Sequence, residues 1–143
     1  NSSEIARLAG EEVRTKGVDA SVVEADLTVL AQRLARKRSC TVVITGKEDV
    51  VADKENVYLI KNGTPLMSGI VGTGCMASSV IGTFAAVEKD FSLAATAGLL
   101  CFEIAAELAA RRAKGPGTFK EKLFDYLFSL DKKAIDKMQR VEG

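Results

Sequence analysis

From about Asp90 to Ala113 the chain carries a stretch that is apolar on nearly every side when wound as a helix. Leu93, Ala97, Leu100, Ile104 and Leu108 recur along it, with Ala and Gly between them. A helix with so little polar face has to be buried between other elements. Its polar stripe is Glu103, Glu107 and Arg111, and the last two have the i, i+4 spacing of an ion pair. Asp90 or Ser92 starts the helix and Gly115-Pro116-Gly117 stops it. The most apolar run, Leu93–Phe102, is followed by Glu103 and Glu107 and is too short to cross a bilayer. Its place is then a globular core. A chain of 143 residues, 47% hydrophobic and 27% charged, is long enough to build one. We expect a single domain over residues 1–143.

The elements that would wrap this helix can be read on both sides. Ser2 or Ser3 caps a first helix to about Lys16, with Ile5, Leu8, Ala9, Glu12 and Val13 on its partly apolar face and Gly17 at its end. Val23, Leu27, Leu30 and Leu34 give a second helix, Ser21 to Lys37, one buried stripe. The basic run Arg33, Arg36, Lys37 and Arg38 suits the carbonyl end of that helix and lacks the interleaved aromatics of a nucleic-acid patch. Cys40–Thr45 is β-branched and nearly all apolar, as in a parallel-sheet strand buried on both faces. Asp49–Asp53 and Asn56–Lys61 are two shorter strands joined as a hairpin through Lys54-Glu55. Asn62-Gly63 marks a turn, and Thr64–Ile70 an extended piece.

Four helices follow. Met76, Val80, Phe84 and Val87 make the face of one that runs to about Glu88. The long apolar helix is next. Thr118 and Glu121 form a capping box for a third, with Phe119, Leu123, Tyr126 or Leu127, and Leu130 toward the core. Asp131 caps a last helix to about Val141. Three strands are few for so many helices. Together with the missing initiator Met, this points to upstream strands and a piece of a longer or processed chain.

Composition removes several classes of function. The net charge is +1, so no strong pull on nucleic acid or an acidic membrane is implied. There is no histidine, which excludes Ser-His or Cys-His catalysis and His-ligated metal within these residues. Cys40, Cys75 and Cys101 are odd in number and widely spaced, which suits a reducing, cytoplasmic setting. Cys40 and Cys101 read as core residues, and no signal peptide is visible.

The chemistry gathers at Gly72-Thr73-Gly74-Cys75, directly before a helical pattern. Two glycines allow a tight turn and close approach of a ligand to the backbone. The first N–H groups of the helix lack partners, and its dipole favours an anion there, most often a phosphate. The same four residues also fit an ordinary loop capping a helix.

Gly72-Thr73-Gly74-Cys75 with Met76-Ala77-Ser78-Ser79-Val80-Ile81-Gly82 resembles the anion-hole segment of the ribokinase-like small-molecule kinases. Within them it is most similar to the hydroxyethylthiazole kinases of thiamine biosynthesis. Asn1-Ser2-Ser3-Glu4 resembles the Asn-x-x-Glu element of the same group. The resemblance implies an α/β fold, a layered sheet flanked by helices that is incomplete in this chain and helix-rich toward its C-terminus. It implies ATP as co-substrate, Mg2+, a thiazole alcohol as substrate, and a trimer with pockets between subunits. Neither nucleic acid nor membrane is implied as a partner. It covers the C-terminal part of proteins nearly twice as long. The upstream half would carry an Arg before Asn1 and an acidic metal partner, so the fragment alone is expected to be weakly active or inactive.

Site residues follow from that resemblance position by position. Gly72, Thr73 and Gly74 match the phosphate-binding turn, and Gly72 also lies against the thiazole. Glu4 matches the residue that helps place magnesium. Thr45 matches an ATP-contacting threonine at a strand end, though a strand-end Thr bonding its own backbone fits equally. Cys75 stands where many relatives have Asp, the presumed base for the substrate hydroxyl. A thiol at a helix start has a lowered pKa and could serve as that base. It could also simply sit beside the hydroxyl, or be a small buried residue. Hydroxymethylpyrimidine and pyridoxine kinases of this fold usually place His before a Cys-bearing turn, where Val71 stands here. A non-catalytic nucleotide-binding oligomer module is the alternative from another class.

Overall fold

The structure, a computed structural model, describes residues 1–9 and 20–143. The element order is α1 (Ser2–Ala9), α2 (Ala20–Arg38), β1 (Val42–Ile44), β2 (Asp49–Ala52), β3 (Val57–Ile60), a 3-10 turn (Pro65–Gly69), α3 (Thr73–Ala85), α4 (Phe91–Ala110), α5 (Pro116–Ser129), α6 (Lys132–Met138) and β4 (Val141–Glu142). The expected order of helices and strands is present, with β4 added at the end. The strands form one sheet in the order β1-β2-β3-β4. The chain divides into two compact units, Asn1–Leu59 with Glu142–Gly143, and Ile60–Val141.

In the first unit α2 packs on the β1–β2 ladder and α1 packs on α2. Leu30 and Leu34 of the expected α2 stripe are buried, as are Ala31 and Ala35 beside them. They join Ile5, Val42, Ile44 and Val50 in one cluster. The expectations at Glu12, Val13 and Gly17, and at Val23, lie outside the described residues and side chains. The ladder is antiparallel, with Val43 opposite Val51 and Ile44 opposite Val50. The parallel expectation is corrected: only residues 45–48 separate β1 from β2, enough for a hairpin and too few for a crossover. A buried antiparallel strand is as apolar as a parallel one, so the sequence pattern does not separate them. Cys40 is exposed before β1 rather than in the core.

The second unit is built on α4, which packs against α3, α5 and α6. Leu99, Phe102, Ile104, Ala105, Ala106 and Ala109 are fully or almost fully buried. With its full length counted, α4 is long and apolar enough to cross a membrane, so the shorter span read from sequence is corrected. Yet 67% of its most apolar window is buried inside the protein, as in a core helix. Asp90 caps it: Oδ1 accepts from the N–H groups of Ser92 and Leu93, both at 3.0 Å.

Several boundaries differ from expectation for local reasons. Residues 64–70 are not extended. Pro65 presets a helical φ and Thr64 caps the 3-10 turn that follows. α5 starts at Pro116, a favoured first position, and Thr118 takes the N–H groups of Lys114 and Gly115 (2.9 and 3.2 Å) rather than pairing with Glu121 as a box. Its expected core residues Phe119 and Leu123 are completely buried. Asp131 caps α6 as expected, but that helix stops at Met138. On α3 only Ala77 is fully buried, and Val87 is 85% exposed.

Candidate functional site

The Gly turn is set by three local features of the second unit. Gly72 sits at φ 98°, ψ 0°, a left-handed conformation that disfavours any side chain, and it is the N-cap of α3. Having no side chain, it satisfies none of the first helical N–H groups. The helix proper closes with Met76 N–H on the Gly72 carbonyl at 2.9 Å. Thr73 Oγ1 donates to the Met67 carbonyl at 3.2 Å, which ties the start of α3 to the preceding 3-10 turn. The N–H groups at the head of α3 thus form a donor set at the positive end of a helix dipole.

Behind the turn, the outward face of α3 is made of small exposed residues, Gly74, Cys75, Ser78, Ser79, Gly82 and Thr83. The hydroxyls of Ser78, Ser79 and Thr83 are turned onto their own helix, donating to carbonyls four residues back at 2.9–3.0 Å. That leaves a smooth face on which a ligand or another chain can come close to backbone. The opposite face crosses α4 closely. A Cβ built at Gly98 would lie 3.0 Å from Ile81 Cα.

Glu4 and Thr45 belong to the first unit, and the Gly turn to the second. Asn1 Oδ1 accepts the Glu4 N–H at 3.1 Å, and Glu4 Oε2 accepts from the Asn1 main-chain nitrogen at 2.6 Å. Asn-x-x-Glu is therefore a reciprocal helix cap, and Asn1, not Ser2 or Ser3, is the capping residue. Thr45 is half-buried just past β1, where Gly46 N–H donates to Asp49 Oδ1 at 2.8 Å to close the turn. Among the described residues no group of three or more Cys, Asp or Glu is placed to hold a metal.

Residues 1–133 match the sequence model of the hydroxyethylthiazole kinase family. The chain belongs to the hydroxyethylthiazole kinase family. It is 47% identical over 142 residues to the hydroxyethylthiazole kinase of Methanosarcina acetivorans, covering 99% of this chain and 54% of that protein. The Methanosarcina mazei protein of the same name is 48% identical with the same coverage. A solved structure of a hydroxyethylthiazole kinase protein from Pyrococcus horikoshii OT3 superposes with a TM-score of 0.85 at 34% identity, over 97% of this chain and 51% of that one. The chain thus spans about half the length of the curated relatives it matches. The expected α/β, ribokinase-like fold is borne out by that superposition.

Within this family fold, Cys75 is exposed at the first turn of α3, which removes the buried-residue reading. Cys101 is half-buried, and burial pushes its thiol pKa up. Iodoacetamide near neutral pH should therefore label Cys40 and Cys75 well before Cys101. Peptide mass spectrometry checks this, and prior labelling of Cys101 would contradict the burial seen here.

The sequence reading missed the polar cluster that ends the loop before the turn. Glu107 does not pair with Arg111. Its Oε1 accepts from Asn62 Nδ2 (3.0 Å), Gly63 N–H (2.9 Å) and Arg140 Nη2 (2.5 Å). The signal available was Asn62-Gly63, an isolated turn pair, with nothing local to connect it to residues so far along the chain.

Proposed function

We propose that this chain is the phosphate- and nucleotide-handling C-terminal part of a hydroxyethylthiazole kinase. The family match over residues 1–133 carries the reading, and the donor-rich turn at Gly72–Cys75 agrees with it. The reaction is transfer of the γ-phosphoryl group of ATP to the primary alcohol of 4-methyl-5-(2-hydroxyethyl)thiazole. The alcohol oxygen forms a bond to the γ-phosphorus, the bond to the β–γ bridging oxygen breaks, ADP leaves, and the hydroxyl proton is lost. Phosphoryl transfer rests mainly on positioning and on charge stabilisation. The N–H groups of Thr73, Gly74 and Cys75 supply the donors, preorganised by the left-handed Gly72. Gly72 also approaches the thiazole.

Cys75 sits beside the reacting hydroxyl, the place from which a base would take its proton. Undiminished turnover in Cys75→Ala would dispose of that base role. Thr45 contacts ATP. Magnesium, when bound, neutralises phosphate charge. A single carboxylate with phosphate oxygens and waters is a usual donor set for it, and Glu4 fits as that carboxylate. Both units belong to one domain in this reading. The whole protein works as a cytoplasmic homo-oligomer, a trimer. The large apolar side chains that Phe91, Leu93, Phe124 and Phe128 leave exposed support such association.

The test is magnesium-dependent ADP release by this chain together with any coding sequence that precedes it, with the thiazole alcohol and the pyrimidine alcohol offered in parallel. Release with the thiazole alone is expected. Release with the pyrimidine alone would overturn the substrate. ATP binding without release from either alcohol would overturn the catalytic reading in favour of a binding module.

A further inference from the structure

The cluster around Glu107 is built from three distant parts of the second unit. Glu107 comes from α4, Asn62 and Gly63 from the loop after β3, and Arg140 from the segment after α6. Asn62 is 4% exposed. Its Nδ2 donates to the Met138 carbonyl at 2.9 Å as well as to Glu107, and its Oδ1 accepts the Arg140 N–H at 2.8 Å. Arg140 also donates through Nε and Nη2 to the Lys61 carbonyl (3.1 and 2.8 Å), and its own carbonyl accepts the Lys61 N–H at 2.9 Å. The Glu107 side chain is 11% exposed and accepts from a backbone N–H, an amide and a guanidinium. Hydrogen bonds to a charged, nearly buried acceptor are among the strongest a protein makes.

This cluster fixes one end of a short segment whose other end is the Gly turn. Gly63, held by Glu107, has φ 113°, outside the range that other residues tolerate. Thr64 then caps the 3-10 turn, and Met67 N–H donates to the Thr64 carbonyl at 3.0 Å. The Met67 carbonyl accepts the Thr73 hydroxyl at the first residue of α3. Each step from Arg140 and Glu107 to Thr73 is a hydrogen bond or a few covalently linked residues. We infer that Glu107, with Asn62 and Arg140, is a positioning clamp that sets the Gly72–Cys75 turn through residues 63–69. Glu107 touches no reacting group; it acts through the loop. The catalytic consequence rests on the phosphate-binding reading of the turn, whereas the mechanical link stands on these bonds alone.

The test compares Glu107→Ala with Glu107→Gln in the whole protein. Gln keeps an acceptor at the Oε1 position and loses the charge, so it also guards against failure of the Ala variant to fold. Hydrogen exchange is followed in peptides covering residues 64–77, which contain the bonded N–H groups of Met67 and Met76, and in peptides covering residues 42–52. kcat and KM for ATP are measured beside it. In Glu107→Ala, exchange over 64–77 should quicken by roughly tenfold or more while 42–52 is unchanged. kcat should fall by a similar factor, and Glu107→Gln should recover most of both.

Equal quickening in both peptides would make the cluster a general stabiliser and overturn the inference. So would an unchanged 64–77 peptide, or local quickening with kcat intact. If the unsubstituted protein releases no ADP from either alcohol, the proposed function fails, and the exchange data still decide the mechanical link.

Discussion

Gly72→Val should lower kcat by about 100- to 1,000-fold while lowering Tm by only a few degrees. At φ 98° a β-branched residue is strained by about 1–3 kcal/mol. A chain relieving that strain rotates the peptide plane and re-aims the N–H groups at the head of α3. Crowding is not the cause, since a Cβ at position 72 meets nothing within 4 Å. Gly74→Ala separates ligand approach from backbone strain. Gly74 is helical and exposed, and its added Cβ also meets nothing within 4 Å. Stability should hold or rise by about 0.5–1 kcal/mol, because Ala is the better helix former. Turnover should still fall, because the methyl group projects where phosphate oxygens approach. Parallel kcat and thermal-melting measurements read both variants. Full activity in both would remove the turn from the reaction.

Gly98→Val should be the most destabilising single change at the crossing of α3 and α4, by roughly 2–4 kcal/mol, or a Tm loss near 10 °C. The Cβ alone would lie 3.0 Å from Ile81 Cα and 3.3 Å from Ile81 N, both backbone atoms of a helix that cannot yield locally. Gly98→Ala adds the same Cβ but gains about 1 kcal/mol of helix propensity, so the two effects nearly cancel. Denaturant melts of the pair measure the difference. Equal stability of the Val and parent proteins would show that the helices separate without penalty. Because α4 supports α3, Gly98→Val should also weaken ATP binding through displacement of the Gly turn.

These two glycines show which parts of the structure were legible in the sequence. The burial of α4 followed from Leu93–Leu108 alone, since a helix apolar on most sides has few other places to go. Asp131 was legible as a cap because capping is a three-residue event. Gly72 was legible because a left-handed N-cap favours glycine wherever it occurs. Gly98 was not singled out, because its reason is a contact with Ile81 in another helix. The same limit applies to Glu107. Four residues before Arg111 it fits a surface pair, and only the return of the chain at Arg140 gives it a different partner. Antiparallel pairing of β1 was hidden because Val43, half-buried between the buried Val42 and Ile44, is as apolar as they are, so the sequence lacks the apolar–polar alternation that marks an antiparallel strand. Asn1 and Glu4 had two compatible meanings, a helix cap and a family metal element, and the cap is the one made within the described residues.

The central claim is that the N–H groups at the head of α3 hold the transferring phosphates. The most direct measurement is a 1H–15N titration of the whole protein with magnesium and a non-hydrolysable ATP analogue, with the thiazole alcohol present. The amides of Thr73, Gly74 and Cys75 should shift together with saturation of the nucleotide, and Gly74→Ala should diminish those shifts. Saturation with all three amides unmoved would contradict the claim, whatever the enzyme's turnover.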